Sequence, residues 1–188
     1  MLGGLFVEDI CCVFLRGINV NGNSIKMQEL KNAFYEMGFS NVKTILATGN
    51  VIINFTEGSP DKDTLKLKIE NGLKTHFGYD AHVILRDKNE ILEIYHTAQT
   101  HKVSEGYHHY LLICNHSDLP LELKQLFDSM SHAPNEQLII FEQNIFWIVP
   151  KGNTLESDFG SKVLGSKKYK SRLTSRNMNT IEKIVKSI

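Results

Sequence analysis

An α+β fold in which one strand-and-helix pattern occurs twice is what the sequence predicts, on two observations. Apolar strand-like runs and helical stripes follow one another in the order β-α-β-β-α-β over the first half of the chain, and β-α-β-β starts again at Tyr107. That order is the split β-α-β, or ferredoxin-like, unit, so the expectation is two ferredoxin-like lobes packed face to face, with C-terminal helices. A length of 188 residues, 41% of them hydrophobic, suffices for one compact domain or two small lobes that each bury a core.

The elements read in order as follows. Cys11 to Arg16 is a short apolar strand. Leu30, Phe34 and Met37 then recur at helical spacing, and Gly38 ends that helix. Val42 to Leu46 and Val51 to Phe55 are β-rich runs joined by Ala47-Thr48-Gly49-Asn50, where Gly and Asn are expected to supply the positive φ of a hairpin turn. Asp61 to Phe77 sets Leu65, Ile69 and Leu73 on one stripe, and the strand Ala81 to Leu85 closes a first lobe, 1–86. A helix over Asp87 to Thr97 and a polar connector make up 87–106. The second lobe, 107–188, opens with the strand Tyr110 to Cys114 and a helix from Leu119 to Met130 with Pro120 in its first turn. A hairpin follows, Gln137 to Phe141 with Ile145 to Val149, turning through Glu142-Gln143-Asn144. A helical segment near Phe159 to Leu164 and a final helix on Met178, Ile181, Ile184, Val185 and Ile188 complete it.

Charge and composition exclude several classes. Lys and Arg number 21 against 21 Asp and Glu, which rules out a uniformly basic nucleic-acid binder. The apolar runs are a few residues long where a membrane-spanning helix needs about 20, so no membrane association is expected. The opening MLGGLFVEDI has no basic residue before its apolar stretch, which is wrong for a secretory signal and points to the cytoplasm. Cys11, Cys12 and Cys114 are expected as reduced, buried thiols. The balance is uneven: residues 1–150 carry 12 basic and 18 acidic side chains, and 151–188 carry 9 and 3. Lys162, Lys167, Lys168, Lys170, Arg172 and Arg176 form a basic tail with no acid between Asp158 and Glu182, where an anionic partner would land.

The segment from Leu15 to Met27 carries the most chemistry. Gly17, Asn19, Asn21, Gly22 and Asn23 lie between a strand and a helix, so backbone amides can turn toward one point at a helix N-terminus, which favours an anion. Arg16 and Lys26 add positive charge. Turn formation with Ser24 capping the helix is the competing reading. Gly17-x-x-x-x-Gly22-Asn23-Ser24 keeps P-loop spacing, but Asn23 stands where that motif needs Lys, and a split β-α-β is the wrong setting for it. The turn Thr48-Gly49-Asn50 and the run Thr174-Ser175-Arg176-Asn177, read as the capped start of the final helix with Arg176 reaching outward, are further polar loops. If the lobes fold together, all of these share one inter-lobe cleft.

The string FLRGINVNGNSIKMQELKNAFYEMGFSNVKTILATGNVIINF and the ending TSRNMNTIEKI resemble the bacterial domain of unknown function 1697 family, whose members begin LLRGINVGG, continue with an SGN turn and close with TxRNW. The resemblance runs over essentially the whole chain. Asn21 replaces the first glycine of the GG pair, Thr48 the turn serine and Met178 the tryptophan, which removes a stacking ring. The resemblance implies two ferredoxin-like lobes and brings no activity. It highlights Arg16, Gly17, Asn19, Gly22, Gly49, Asn50, Thr174, Arg176 and Asn177 without roles.

Other constellations are weaker. His96, His101, His108, His109 and His116 crowd the middle of the chain, with Cys114 and His116 expected on one strand face, but CxxC and HExxH spacings do not occur and no metal or cofactor is expected. No GxSxG elbow marks a nucleophile. Phe146 and Trp147 read as packing residues, and Val51-Ile52-Ile53-Asn54-Phe55 lacks the basic and aromatic residues of an RNP1 strand. The leading expectation is therefore a binding protein for an anionic ligand, either a nucleotide, a phosphorylated metabolite or an RNA phosphate. The candidate site residues are Arg16, Gly17, Asn19, Gly22, Lys26, Thr48, Gly49, Asn50, Thr174, Arg176 and Asn177. The alternatives are an enzyme acting on a phosphorylated small molecule and a protein interaction module, and the sequence sets no oligomeric state.

Overall fold

Strand alternation dictates the first half of the computed structural model, which describes residues 8–16, 19–20, 23–56, 61–78 and 80–188. In β1 (Glu8–Arg16), Cys11, Val13 and Leu15 face one side and join a core with Leu30 and Phe34 of α1 (Met27–Glu36) and Leu65, Ile69 and Leu73 of α2 (Lys62–Phe77). Cys12 and Phe14, between them, are buried on the opposite side. β4 (Ser40–Ile45), β5 (Asn50–Thr56) and β6 (His82–Asp87) complete a sheet of order β4-β5-β1-β6 with every neighbouring pair antiparallel. This is the split β-α-β arrangement. Two-residue strands β2 (Asn19–Val20) and β3 (Asn23–Ser24) pair with each other between β1 and α1.

Local chemistry sets the helix boundaries. Asp61 caps α2, its carboxylate accepting from the amides of Asp63 and Thr64 at 3.0 and 2.9 Å, and Gly78 ends the helix in the left-handed region that an L side chain avoids. α3 (Lys88–Ala98) opens on a reciprocal pair: Asp87 N–H donates to Glu90 Oε2 at 2.7 Å and Glu90 N–H to Asp87 Oδ1 at 2.9 Å. Lys62 Nζ bridges the two carboxylates at 2.9 and 2.6 Å.

The pattern then repeats. β7 (Tyr107–Cys114), α4 (Leu119–Asp128), β8 (Gln137–Phe141), β9 (Asn144–Pro150), α5 (Asp158–Leu164), a 3₁₀ turn at Lys167–Tyr169 and β10 (Leu173–Asn177) lead to α6 (Met178–Val185). The sheet order β10-β7-β9-β8 reproduces the first one, again antiparallel throughout. Trp147, fully buried, anchors this core beside Leu112, Leu123, Phe127 and Phe159, and its Nε1 donates to Glu136 Oε1 at 3.0 Å. The protein is thus an α+β molecule of two ferredoxin-like sheets, each followed by one helix, α3 after β6 and α6 after β10. It divides into two compact units, Met1–Leu92 with Lys183–Ile188, and Glu93–Glu182.

Four local expectations need correction. Residues 174–177 are the last strand rather than the capped start of a helix: Leu173–Asn177 pairs along β7, supplying the fourth strand that the second unit otherwise lacks. The cap of α6 comes instead from Asn177, whose Oδ1 accepts from the Asn179 amide at 3.0 Å. Ser24 belongs to β3, and α1 starts after Lys26 with no side-chain cap bond. In the β4–β5 turn the positive φ values fall on Leu46 (57°) and Gly49 (73°), not on Asn50. Finally, β7 ends at Cys114, so His116 shares no strand face with it and is exposed.

Candidate functional site

Arg16 and the turn residues Thr48, Gly49 and Asn50 lie at one end of the first unit's sheet. Arg16 is the last residue of β1, opposite His82 at the start of β6. It is half-buried, and burial draws its guanidinium below the ordinary arginine pKa, which leaves it cationic at any physiological pH. The β4–β5 turn emerges at the same end, because Asn50 pairs with Phe14 and the Leu15 amide donates to the Gly49 carbonyl at 2.8 Å. A residue with a side chain at position 49 would be strained by the left-handed φ, so glycine is what lets the turn close onto β1 there.

Asn50 builds this turn rather than reaching outward. It is 1% exposed, and its Nδ2 donates to the Ile45 carbonyl at 2.8 Å and to Thr48 Oγ1 at 2.9 Å. Thr48 is exposed on the turn. Lys26 is exposed as well and lies 3.9 Å from Glu29, a weak i,i+3 pair. Asn19 lies in β2, paired with Ser24. Gly17 and Gly22 lie outside the described residues.

Thr174, Arg176 and Asn177 belong to the second unit. Arg176 is 7% exposed and turned inward along the strand, donating to Thr174 Oγ1 at 2.7 Å and to the Ser175 carbonyl at 2.8 Å. Alternation explains this: residues two apart in a strand share a face, so Thr174 and Arg176 meet. The expectation of an outward Arg176 is therefore corrected.

The basic tail is also partly engaged. Glu122 on α4 accepts from Lys168 Nζ at 2.6 Å, Tyr169 Oη at 2.9 Å and Arg172 at 2.8 Å, while Arg172 also reaches Asp118 at 3.2 Å. Bonds from Lys168 and Arg172 hold the Glu122 carboxyl down to about 2. Sequence reading missed this network because its acids stand some fifty positions away from its bases.

Two of the histidines that crowd the middle of the chain meet. His101 Nδ1 and His109 Nε2 are 3.3 Å apart against the Phe146 ring, and burial, helped by His101, lowers His109 to about 4. Among the described residues no three His, Cys, Asp or Glu side chains are placed to hold a metal ion. Arg86 on β6 is 5% exposed and donates to the Leu85 carbonyl at 2.9 Å. All three cysteines are free and buried; burial pushes the Cys11 thiol up to about 12 and raises Cys12 as well, which makes both poor nucleophiles. No helix among the described residues is long and apolar enough to cross a membrane.

Comparison with known proteins agrees with this architecture. A solved structure titled as that of the conserved bacterial protein SP0830 from Streptococcus pneumoniae is similar with a TM-score of 0.71 and 19% sequence identity, covering 96% of this chain and 98% of that one. At that identity the likeness concerns the fold. No curated protein matches the sequence. The sequence profile of one family matches residues 9–146, well over half of the chain and including the Arg16 strand and the β4–β5 turn. On that match the chain belongs to the family described as protein of unknown function (DUF1697).

Proposed function

We propose that this protein binds an anionic, phosphate-bearing ligand at the Arg16 end of the first unit's sheet. The supporting observation is the position of Arg16: a half-buried guanidinium at a strand terminus, next to the turn that Gly49 fastens to β1. A guanidinium in a partly dry setting binds phosphate more strongly than one in bulk water, and its planar fork makes two parallel hydrogen bonds. The Gly- and Asn-rich sequence that follows Arg16 supplies small residues suited to turning backbone amides toward an anion. Thr48 adds an exposed hydroxyl on the neighbouring turn. In this reading Asn50 is a positioning residue, and Lys26 contributes long-range charge. Three free, buried cysteines are consistent with work in the reducing cytoplasm.

Thermal unfolding of the wild type and Arg16→Ala across nucleotides, phosphorylated metabolites, inorganic phosphate and short RNA at low salt tests the proposal. A ligand at 100 times its Kd adds about 2.7 kcal/mol to the folded state, which such a scan resolves. The expected result is a shift in the wild type that Arg16→Ala lacks, with the unliganded midpoints alike. Equal shifts in the two proteins, or none with any compound, would remove Arg16 from the site.

A further inference from the structure

The opposite end of the same sheet carries a cavity that the anion reading does not use. It measures about 470 Å³, within the usual range of small-molecule sites, and lies beside the edge strand β4. The register of β4 against β5 slips between Ser40 and Lys43, and Asn41 adopts φ 50° there. Such a bulge re-aims the side chains of a strand and opens its edge. Ile10, Val42 and Ile52 form apolar walls, with Tyr35 of α1 at 45% exposure on the rim. Ile10 and Arg16 are six positions apart on β1, roughly 20 Å along an extended strand, so the two places are distinct.

Lys43 gives this cavity its chemistry. Its Nζ donates to the Ser187 carbonyl at 2.8 Å, which satisfies one of three ammonium donors. A neutral carbonyl does not compensate the charge, and among the described residues Lys43 makes no ion pair with a carboxylate. The Lys43 ammonium beside apolar walls, with Asn54, Ser187 and Ile188 at the same cavity, is complementary to a molecule with an apolar body and one anionic head. We propose that the cavity beside the β4 bulge binds a small anionic amphiphile, an aromatic or branched aliphatic carboxylate, with its head on Lys43 and its body against Ile10, Val42 and Ile52. This site is independent of the Arg16 reading.

Calorimetric titration with 1-naphthoate and with its uncharged counterpart 1-naphthalenemethanol tests this on the full chain. The wild type is expected to favour the carboxylate by about tenfold, the usual worth of one charge-assisted hydrogen bond. Lys43→Met keeps the apolar stem and should erase that preference while retaining the alcohol. Asn54→Trp fills the cavity and should weaken both ligands at least tenfold. Lys43 is exposed, so its variant reports even if Asn54→Trp proves unstable, and thermal midpoints identify the folded proteins. Absence of binding by either compound, or a carboxylate preference that survives Lys43→Met, would overturn the proposal. So would self-association of the wild type that Tyr35→Ala abolishes, since a second copy would then be the occupant.

Discussion

The two units of this protein share a topology and differ at one end of the sheet. In the first, residues 17–26 connect β1 to α1 and residues 46–49 turn from β4 to β5; the corresponding connections in the second are 115–118 and 142–143. First and second long strands of a split β-α-β run parallel, so both connections leave the same sheet end. Each third strand nevertheless begins with a buried asparagine, Asn50 at 1% and Asn144 at 2% exposure. The asparagine is common to the two corners, and the extra length beside Arg16 is what the second unit does without. Loops that exceed the needs of their scaffold are where binding residues concentrate.

The second crossover differs in the opposite sense. One helix, α2, carries the first unit from β5 to β6, whereas α5 and a 3₁₀ turn, followed by Arg172 and tied through Lys168 and Arg172 to Glu122 of α4, occupy that position in the second. A Cβ added at Gly160 would lie 1.9 Å from the Thr154 carbonyl oxygen, which the backbone cannot relieve cheaply. One added at Gly72 would lie 2.1 Å from Met37 Sδ, the movable end of a flexible side chain. Gly160→Ala is therefore expected to cost about 3 kcal/mol and Gly72→Ala about 1 kcal/mol in denaturant unfolding. Equal costs would show that the two crossovers are packed alike.

At the corner itself, Asn50→Ala leaves the Ile45 carbonyl and Thr48 hydroxyl without their donor and should destabilise by about 2 kcal/mol. A similar loss in Asn144→Ala would establish the equivalence of the two corners; a loss confined to Asn50 would break it. Arg172→Ala removes a partly exposed ion-pair network and is expected to cost about 0.5 to 1 kcal/mol while leaving the ligand-induced thermal shift intact. Disappearance of that shift would assign anion binding to the tail of the second unit instead.

Acid should act on the second unit through His109 and Glu122 among its groups. The folded pKa of His109 lies below its ordinary value, so protonation favours unfolding and stability falls as pH drops from 6.5 toward about 4. Glu122 contributes stability above its ordinary pKa of 4.5, and that contribution is lost as pH falls toward about 2. In His109→Gln the first decline should shrink to the part that the partly buried His101 supplies, and the second should persist, as read by thermal midpoints between pH 7 and 3.

Much of this architecture was legible in local pattern. Leu65, Ile69 and Leu73 announce α2, and the Thr48-Gly49-Asn50 turn lies between two β-rich runs where the hairpin forms. β10 was hidden because Thr, Ser and Asn are also helix-cap residues; the topological gap in the second unit, a missing fourth strand, was the better signal. Of the candidate residues, Arg16 and Gly49 lie at the same end of the first unit's sheet, while Arg176 turns inward because its strand face also holds Thr174. The Glu122 network and the cavity at the β4 bulge arise from residues distant in sequence and leave no local trace, whereas the His101–His109 pair comes from the histidine-rich stretch the sequence displays.

The central claim is that the first unit alone carries the anion site at its elaborated sheet end. Backbone amide resonances of the wild type, followed during titration with inorganic pyrophosphate at low salt, test it most directly. The account predicts saturable shifts at Leu15, Arg16, Thr48 and Gly49, with the 115–118 and 142–143 connections of the second unit unmoved. Shifts confined to the second unit, or none at the Arg16 end at saturating pyrophosphate, would contradict it.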